Sequence, residues 1–145
     1  MLKSTHQTIQ DWKSDSKPIS RYHHSNLSDD LGRILYQKLE DWMLEDKPYL
    51  DPDLTLSKMA FYLETNTTYL SQVINHYKGI PARDFINTYR MEELEIIVQN
   101  QDIQSYTLNA ISQLCGFKSY SSFSRAVIKI KGHTPKEFLE NTQTG

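Results

Sequence analysis

Residues 107–132, TLNAISQLCGFKSYSSFSRAVIKIKG, repeat the pattern of an earlier stretch, residues 55–79, TLSKMAFYLETNTTYLSQVINHYKG. At an offset of 52, Leu108 falls on Leu56, Ile111 on Met59, Ser112 on Ala60 and Cys115 on Leu63. One extra turn residue then moves the offset to 53. From there Phe123 matches Leu70, Ala126 matches Val73, Val127 matches Ile74, Ile130 matches Tyr77 and Gly132 matches Gly79. Within each copy the apolar residues recur at i, i+3, i+4 and i+7, the spacing of one buried helical face. Each copy therefore reads as a short helix, a turn and a second helix that stops on glycine. Two copies of one such unit define the architecture of the chain.

Reading outward from the repeat, Pro81 and the run ARDFINTYRMEELEIIVQN (82–100) predict a helix between the copies. It carries Phe85, Ile86, Tyr89, Leu94, Ile97 and Val98 on one face, and at ~1.5 Å per residue it spans roughly 27 Å. After the second copy, Thr134, Pro135, Lys136 and Glu137 combine a capping box with proline in the first turn, which predicts a last helix over 134–141. Before the first copy, Ser28 is placed to cap a helix. Asp29 and Asp30 suit its positive end, and Leu31, Ile34, Leu35, Leu39, Trp42 and Met43 follow until KPYLDPD breaks the pattern near Pro48. Residues 1–27 lack a sustained apolar period and read as a linker or tail, and 141–145 as a second tail. The expectation is an all-α, seven-helix domain over 28–140. It contains two homeodomain-like helix-turn-helix subdomains (55–78 and 107–131) joined by the long helix 82–100.

Composition agrees. Of 145 residues 38% are apolar and 11% aromatic, enough for a packed core, and the five glycines and five prolines are too few for a turn-rich β architecture. No run approaches the ~18 apolar residues of a membrane span, and the N-terminus has no apolar secretion segment. A cytoplasmic protein is therefore expected. Cys115 is the only cysteine, so neither an internal disulfide nor a CxxC pair can form, and its helical apolar setting marks it as a core residue. There is no HExxH, phosphate loop or GxSxG, and the acidic residues near Asp51 lack the remaining ligands of a calcium loop. No catalytic residue, metal or cofactor is expected. The net charge of −2 hides an asymmetry: residues 28–64 carry four Lys/Arg against nine acids, whereas residues 107–145 carry five against two. A basic C-terminal part beside an acidic middle suits an anionic partner docked on one side.

In a helix-turn-helix the second helix enters the major groove while the first braces it, so the second helix must bury one face and leave the other free. At ~100° per residue the first copy turns Thr68, Gln72 and Asn75 outward, with Ser71 and His76 on the flanks. The second copy turns out Ser121, Arg125 and Ile128, flanked by Ser124 and Lys129. Gln and Asn make bidentate contacts to adenine, and Arg makes the commonest specific contact to guanine. The connecting helix and its flanking turns match the roughly 34 Å of one B-DNA turn. The alternative is a helical module that binds protein without reading DNA, and salt dependence separates the two.

The runs YLSQVI, FINTYRMEEL and above all AISQLCGFKSYSSFSRAVIKIKGHTPKEFL (110–139) resemble the AraC/XylS-type transcription regulators. The resemblance covers about residues 28–140 and implies a bipartite double-stranded DNA site. It implies base-reading positions at Thr68, Ser71 and Gln72 and at Tyr120, Ser121, Ser124 and Arg125; periodicity adds Asn75. Phosphate contacts are expected at His76, Lys118, Ser119, Lys129 and Lys131. Arg90 is left open between bracing the core and touching DNA. The lead-in KPYLDPDLTLSKMA resembles the subgroup in which this region ends a larger sensor protein. RNA polymerase and dimerisation through a sensor region outside this chain are further expected partners. The chain departs from the family's usual basic residues at Gln72, Asn75, His76 and Ile128, which implies weak binding by a monomer.

Overall fold

The computed structural model describes residues 25–100 and 102–144. Among them are seven α-helices and no strand: α1 (Ser25–Asp46), α2 (Leu56–Tyr62), α3 (Thr67–Lys78), α4 (Ala82–Asn100), α5 (Leu108–Leu114), α6 (Tyr120–Lys131) and α7 (Pro135–Thr144). Short 3-10 turns at Pro48–Leu50 and Ile103–Ser105 occupy the breaks before α2 and after α4. The all-α, seven-helix expectation holds. Two boundaries differ. α1 already runs from Ser25, so Ser28 lies inside the helix rather than capping it, and α7 continues to Thr144. Helical pattern persists on both sides, because neither place holds a proline or glycine to stop it. The reading of 1–27 as a tail falls, for residues 1–24, outside the described residues.

The described residues divide into two compact units, one holding 25–46 with Thr55–Arg83, the other holding Lys47–Leu54 with 84–100 and 102–144. In the first unit the core is made by Leu31, Leu35, Leu39 and Met43 of α1, Met59, Ala60 and Leu63 of the α2 region, and Leu70, Val73 and Ile74 of α3, all buried. Two parallel ring stacks border it: Tyr36 on Tyr77 at 4.7 Å and Trp42 on Tyr62 at 4.0 Å between centroids. Tyr77, the last residue of the predicted stripe, keeps 38% of its surface exposed although it stacks on Tyr36.

In the second unit Met91, Leu94 and Ile97 of α4 pack with Ile103, Ile111, Cys115, Phe117, Phe123, Ala126, Val127 and Phe138. Cys115 is fully buried, and burial pushes its thiol up to about 12, with Glu93 adding to the rise and Arg90 opposing it. It is a core side chain, as its helical setting predicts. The capping box of α7 forms in both directions: the Glu137 N–H donates to Thr134 Oγ1 (3.2 Å) and the Thr134 N–H to Glu137 Oε1 (2.9 Å). The Thr134 N–H, helped by the Thr134 side chain, holds the exposed Glu137 carboxyl below its ordinary pKa.

Candidate nucleic-acid interface

The repeat read from the sequence is repeated in the hydrogen bonds. Thr55 Oγ1 accepts from the Lys58 N–H and Thr107 Oγ1 from the Ala110 N–H, so α2 and α5 start with the same cap and are both 7 residues long. Each then ends in a left-handed residue, Glu64 (φ 56) and Gly116 (φ 94). The Thr65 N–H reaches back to the Ala60 carbonyl (2.9 Å) and the Phe117 N–H to the Ser112 carbonyl (3.1 Å), the pairing that closes a Schellman turn. Up to this point the copies are 52 residues apart. Lys118 is the extra residue, and the second helices follow at 53. Asn66 Oδ1 caps α3 by accepting from the Tyr69 N–H, Ser119 Oγ caps α6 by accepting from the Ser122 N–H, and both helices are 12 residues long. Gly79 (φ 71) and Gly132 (φ 78) end them.

This geometry disposes the polar side chains. On α3, Thr68, Gln72, Asn75 and His76 are exposed and Ser71 is partly buried, while Leu70, Val73 and Ile74 face the core. On α6, Tyr120, Ser121, Arg125 and Ile128 are exposed and Ser124 is partly buried, opposite Phe123, Ala126 and Val127. The Arg125 guanidinium lies along its own helix, donating from Nη1 to Ser121 Oγ (3.2 Å) and from Nη2 to Ser122 Oγ (3.5 Å). Its remaining N–H groups leave a donor edge for a partner. Of the residues expected at phosphate, His76, Lys118, Ser119 and Lys129 are exposed and Lys131 is partly buried. Ser119 already serves as the cap of α6, which leaves its backbone at the positive end of that helix.

Arg90, left open above, is buried. Its Nε donates to the Tyr49 carbonyl (2.7 Å), Nη2 to the Asp51 carbonyl (3.0 Å) and Nη1 to Asn87 Oδ1 (3.5 Å), and the guanidinium sits 5.1 Å from the centre of the Phe117 ring. Burial lowers its pKa while Asp51 opposes the shift. Arg90 braces the second unit. It ties the Tyr49–Asp51 segment to the turn that launches α6. Gly116 closes against the same segment, since a Cβ there would lie 2.3 Å from the Tyr49 carbonyl oxygen. The Tyr49 phenol is pushed up to about 12 by burial and, less, by Glu93 and Glu92. Sequence periodicity cannot reveal this brace, because a carbonyl some 40 residues away carries no side-chain signal.

Two units, each a short helix, a turn and a longer helix with an outward polar face, define a double helix-turn-helix protein. A family model described as a helix-turn-helix domain matches residues 59–141. The chain belongs to that family, in its AraC-type form, and is a DNA-binding transcription regulator. Solved structures share the fold. The C-terminal domain of the two-component response regulator yesN from Fusobacterium nucleatum is 23% identical with a TM-score of 0.58, over 74% of this chain and 95% of that one. The C-terminal domain of AraT, a response regulator from Geobacillus stearothermophilus, is 24% identical with a TM-score of 0.60, over 76% and 84%. The DNA-binding domain of AdpA, a global transcriptional factor solved in complex with a target DNA, is 14% identical with a TM-score of 0.63, over 74% and 92%. No curated protein matches the chain by sequence. Among the described residues no helix is long and apolar enough to cross a membrane.

Proposed function

We propose that α3 and α6 are reading helices that enter successive major grooves of one duplex, as the output region of a larger sensor-regulator acting in the cytoplasm. Thr68, Ser71, Gln72 and Asn75 face base edges in one half-site, and Tyr120, Ser121, Ser124 and Arg125 in the other. His76, Lys118, Ser119, Lys129 and Lys131 take phosphates. The observation that carries this reading is the matched pair of helices: equal length, equivalent caps, and a polar face left free opposite each buried stripe. The second unit supplies most of the electrostatic grip, since α6 ends with Lys129 and Lys131 where α3 ends with His76 and Lys78.

Selection of bound duplexes from a random pool at low salt tests the reading and returns both half-sites with their spacing. Absence of any enriched duplex would sink it. With a selected duplex in hand, Arg125→Ala weakens binding by about 1–3 kcal/mol and relaxes preference at one base pair. Equal loss on every sequence would reassign Arg125 to phosphate. Gln72→Ala relaxes preference at a position about one helical turn, roughly 10 base pairs, from the first. A change at the same base pair as Arg125→Ala would contradict the two-groove arrangement.

A protein contact is a second reading, drawn from exposed aromatic residues of α2. Phe61 is 87% exposed beside Tyr62, which keeps 54% of its surface open although it stacks on Trp42. RNA polymerase, or a second copy brought by a sensor region, is the partner class this reading assigns to the regulator. It accompanies DNA binding and does not replace it.

A further inference from the structure

Each lysine assigned above to phosphate is held by a carboxylate within the second unit. Lys118 Nζ lies 3.0 Å from Asp53 Oδ1, Lys129 Nζ lies 2.8 Å from Asp84 Oδ2, and Lys131 Nζ pairs with Glu95 Oε1. The three acids come from separate places: the loop before α2, the first turn of α4, and a position further along α4. Lys129 and Lys131 are two residues apart, about 200° around the helix, so one borders each side of the outward arc of Ser121, Arg125 and Ile128. Those borders are where the phosphate rows of a major groove would run.

An ammonium beside a carboxylate is already partly neutralised, and a phosphate brought to it meets the repulsion of the carboxylate as well as the attraction of the lysine. Exposed ion pairs of this kind are individually weak, so a duplex can displace them, but each displacement opposes binding. We propose that Asp53, Asp84 and Glu95 limit the affinity of this domain for DNA: they stand in for phosphates on Lys118, Lys129 and Lys131 until a duplex displaces them. The inference rests on the reading of α6 as a DNA-facing helix. It assigns affinity-setting roles to three acidic residues that need not touch a base.

The test uses the full chain, a duplex taken from the selection, and titrations from 50 to 200 mM salt. Asp53→Asn, Asp84→Asn and Glu95→Gln each tighten binding by roughly two- to five-fold at low salt. The triple variant steepens the salt slope by up to about 0.9 for each freed lysine. Glu92→Gln, an exposed carboxylate on the same helix, removes equal charge and changes both quantities less. Lys129→Ala weakens binding more in the Asp84→Asn background than in the unaltered chain, a coupling that a general charge effect would not produce. Melting curves confirm that each variant is folded. Tighter binding with coupling supports the inference. Unchanged affinity, weaker binding, or an equal effect of Glu92→Gln overturns it while leaving the reading of α6 intact. If the unaltered chain binds no duplex, that reading fails and the inference with it.

Discussion

Gly116→Ala lowers the unfolding midpoint of this protein by about 8 °C or more, the larger of two stability losses expected at one locus of the second unit. Two costs combine. The backbone at Gly116 has φ +94, beyond the left-handed island of roughly +50 to +70° that other residues occupy at a cost of about 1–2 kcal/mol. A Cβ would also sit 2.3 Å from the Tyr49 carbonyl oxygen and 2.8 Å from Leu50 Cα, both backbone atoms that cannot swing aside as a side-chain tip can. Forced overpacking of this kind adds about 1–3 kcal/mol, for a total of about 2–5 kcal/mol. Gly132→Ala is the control. Its φ is +78 but nothing lies within 4 Å of the added methyl, so only the backbone cost applies. Thermal unfolding followed by circular dichroism separates the two, and equal shifts would show that the close approach to Tyr49 and Leu50 does not matter. Since Ser119 and the start of α6 follow this turn directly, DNA binding by Gly116→Ala fails at temperatures where the unaltered chain still binds.

Arg90→Ala destabilises the second unit by about 2–4 kcal/mol: it takes the guanidinium donor from the buried Tyr49 carbonyl, and a buried acceptor left without a donor costs about 1–3 kcal/mol, while the Asp51 carbonyl loses one donor and keeps the Leu54 N–H. It also removes the cation from the Phe117 ring. Arg90→Lys recovers only part of the loss, since one ammonium cannot span two carbonyls in the plane that a guanidinium covers. Urea midpoints measure this. Under fully folding conditions the variants bind DNA with nearly unchanged affinity, and a binding loss much larger than the folding loss would mean that Arg90 touches DNA after all. Gly116 and Arg90 meet the same Tyr49 carbonyl, so the double variant costs less than the sum of the two.

The helices themselves were legible because each rests on local physics. Thr55, Asn66, Thr107 and Ser119 cap the N–H groups three residues on, and Gly79 and Gly132 supply the left-handed ends. The apolar stripes of α3 and α6 were read from a spacing of 3.6; Leu70, Val73, Ile74, Phe123, Ala126 and Val127 are buried as that spacing predicts, whereas Tyr77 and Ile130 at the stripe ends stay exposed and Tyr69, off the stripe, is buried. The face opposite each stripe, with Thr68 and Gln72 on one helix and Ser121 and Arg125 on the other, followed from the same spacing. Glu64 shows the limit of such reading. It is the counterpart of Gly116, yet it adopts φ 56, inside the island that a side chain tolerates.

The sequence alone therefore determined the class of fold, the duplicated unit and the outward polar faces, since these depend on contacts within a few residues along the chain. The tertiary structure decided what Arg90, Gly116 and the α6 lysines do. Arg90 became a brace because folding brought two backbone carbonyls to a guanidinium about 40 positions away. Gly116 became irreplaceable by side chains because the Tyr49–Leu50 backbone lies against it. Lys118, Lys129 and Lys131 acquired carboxylate partners 65, 45 and 36 residues distant. Burial and charge pairing at such separations depend on where the chain returns to itself, which the residues near each site do not encode.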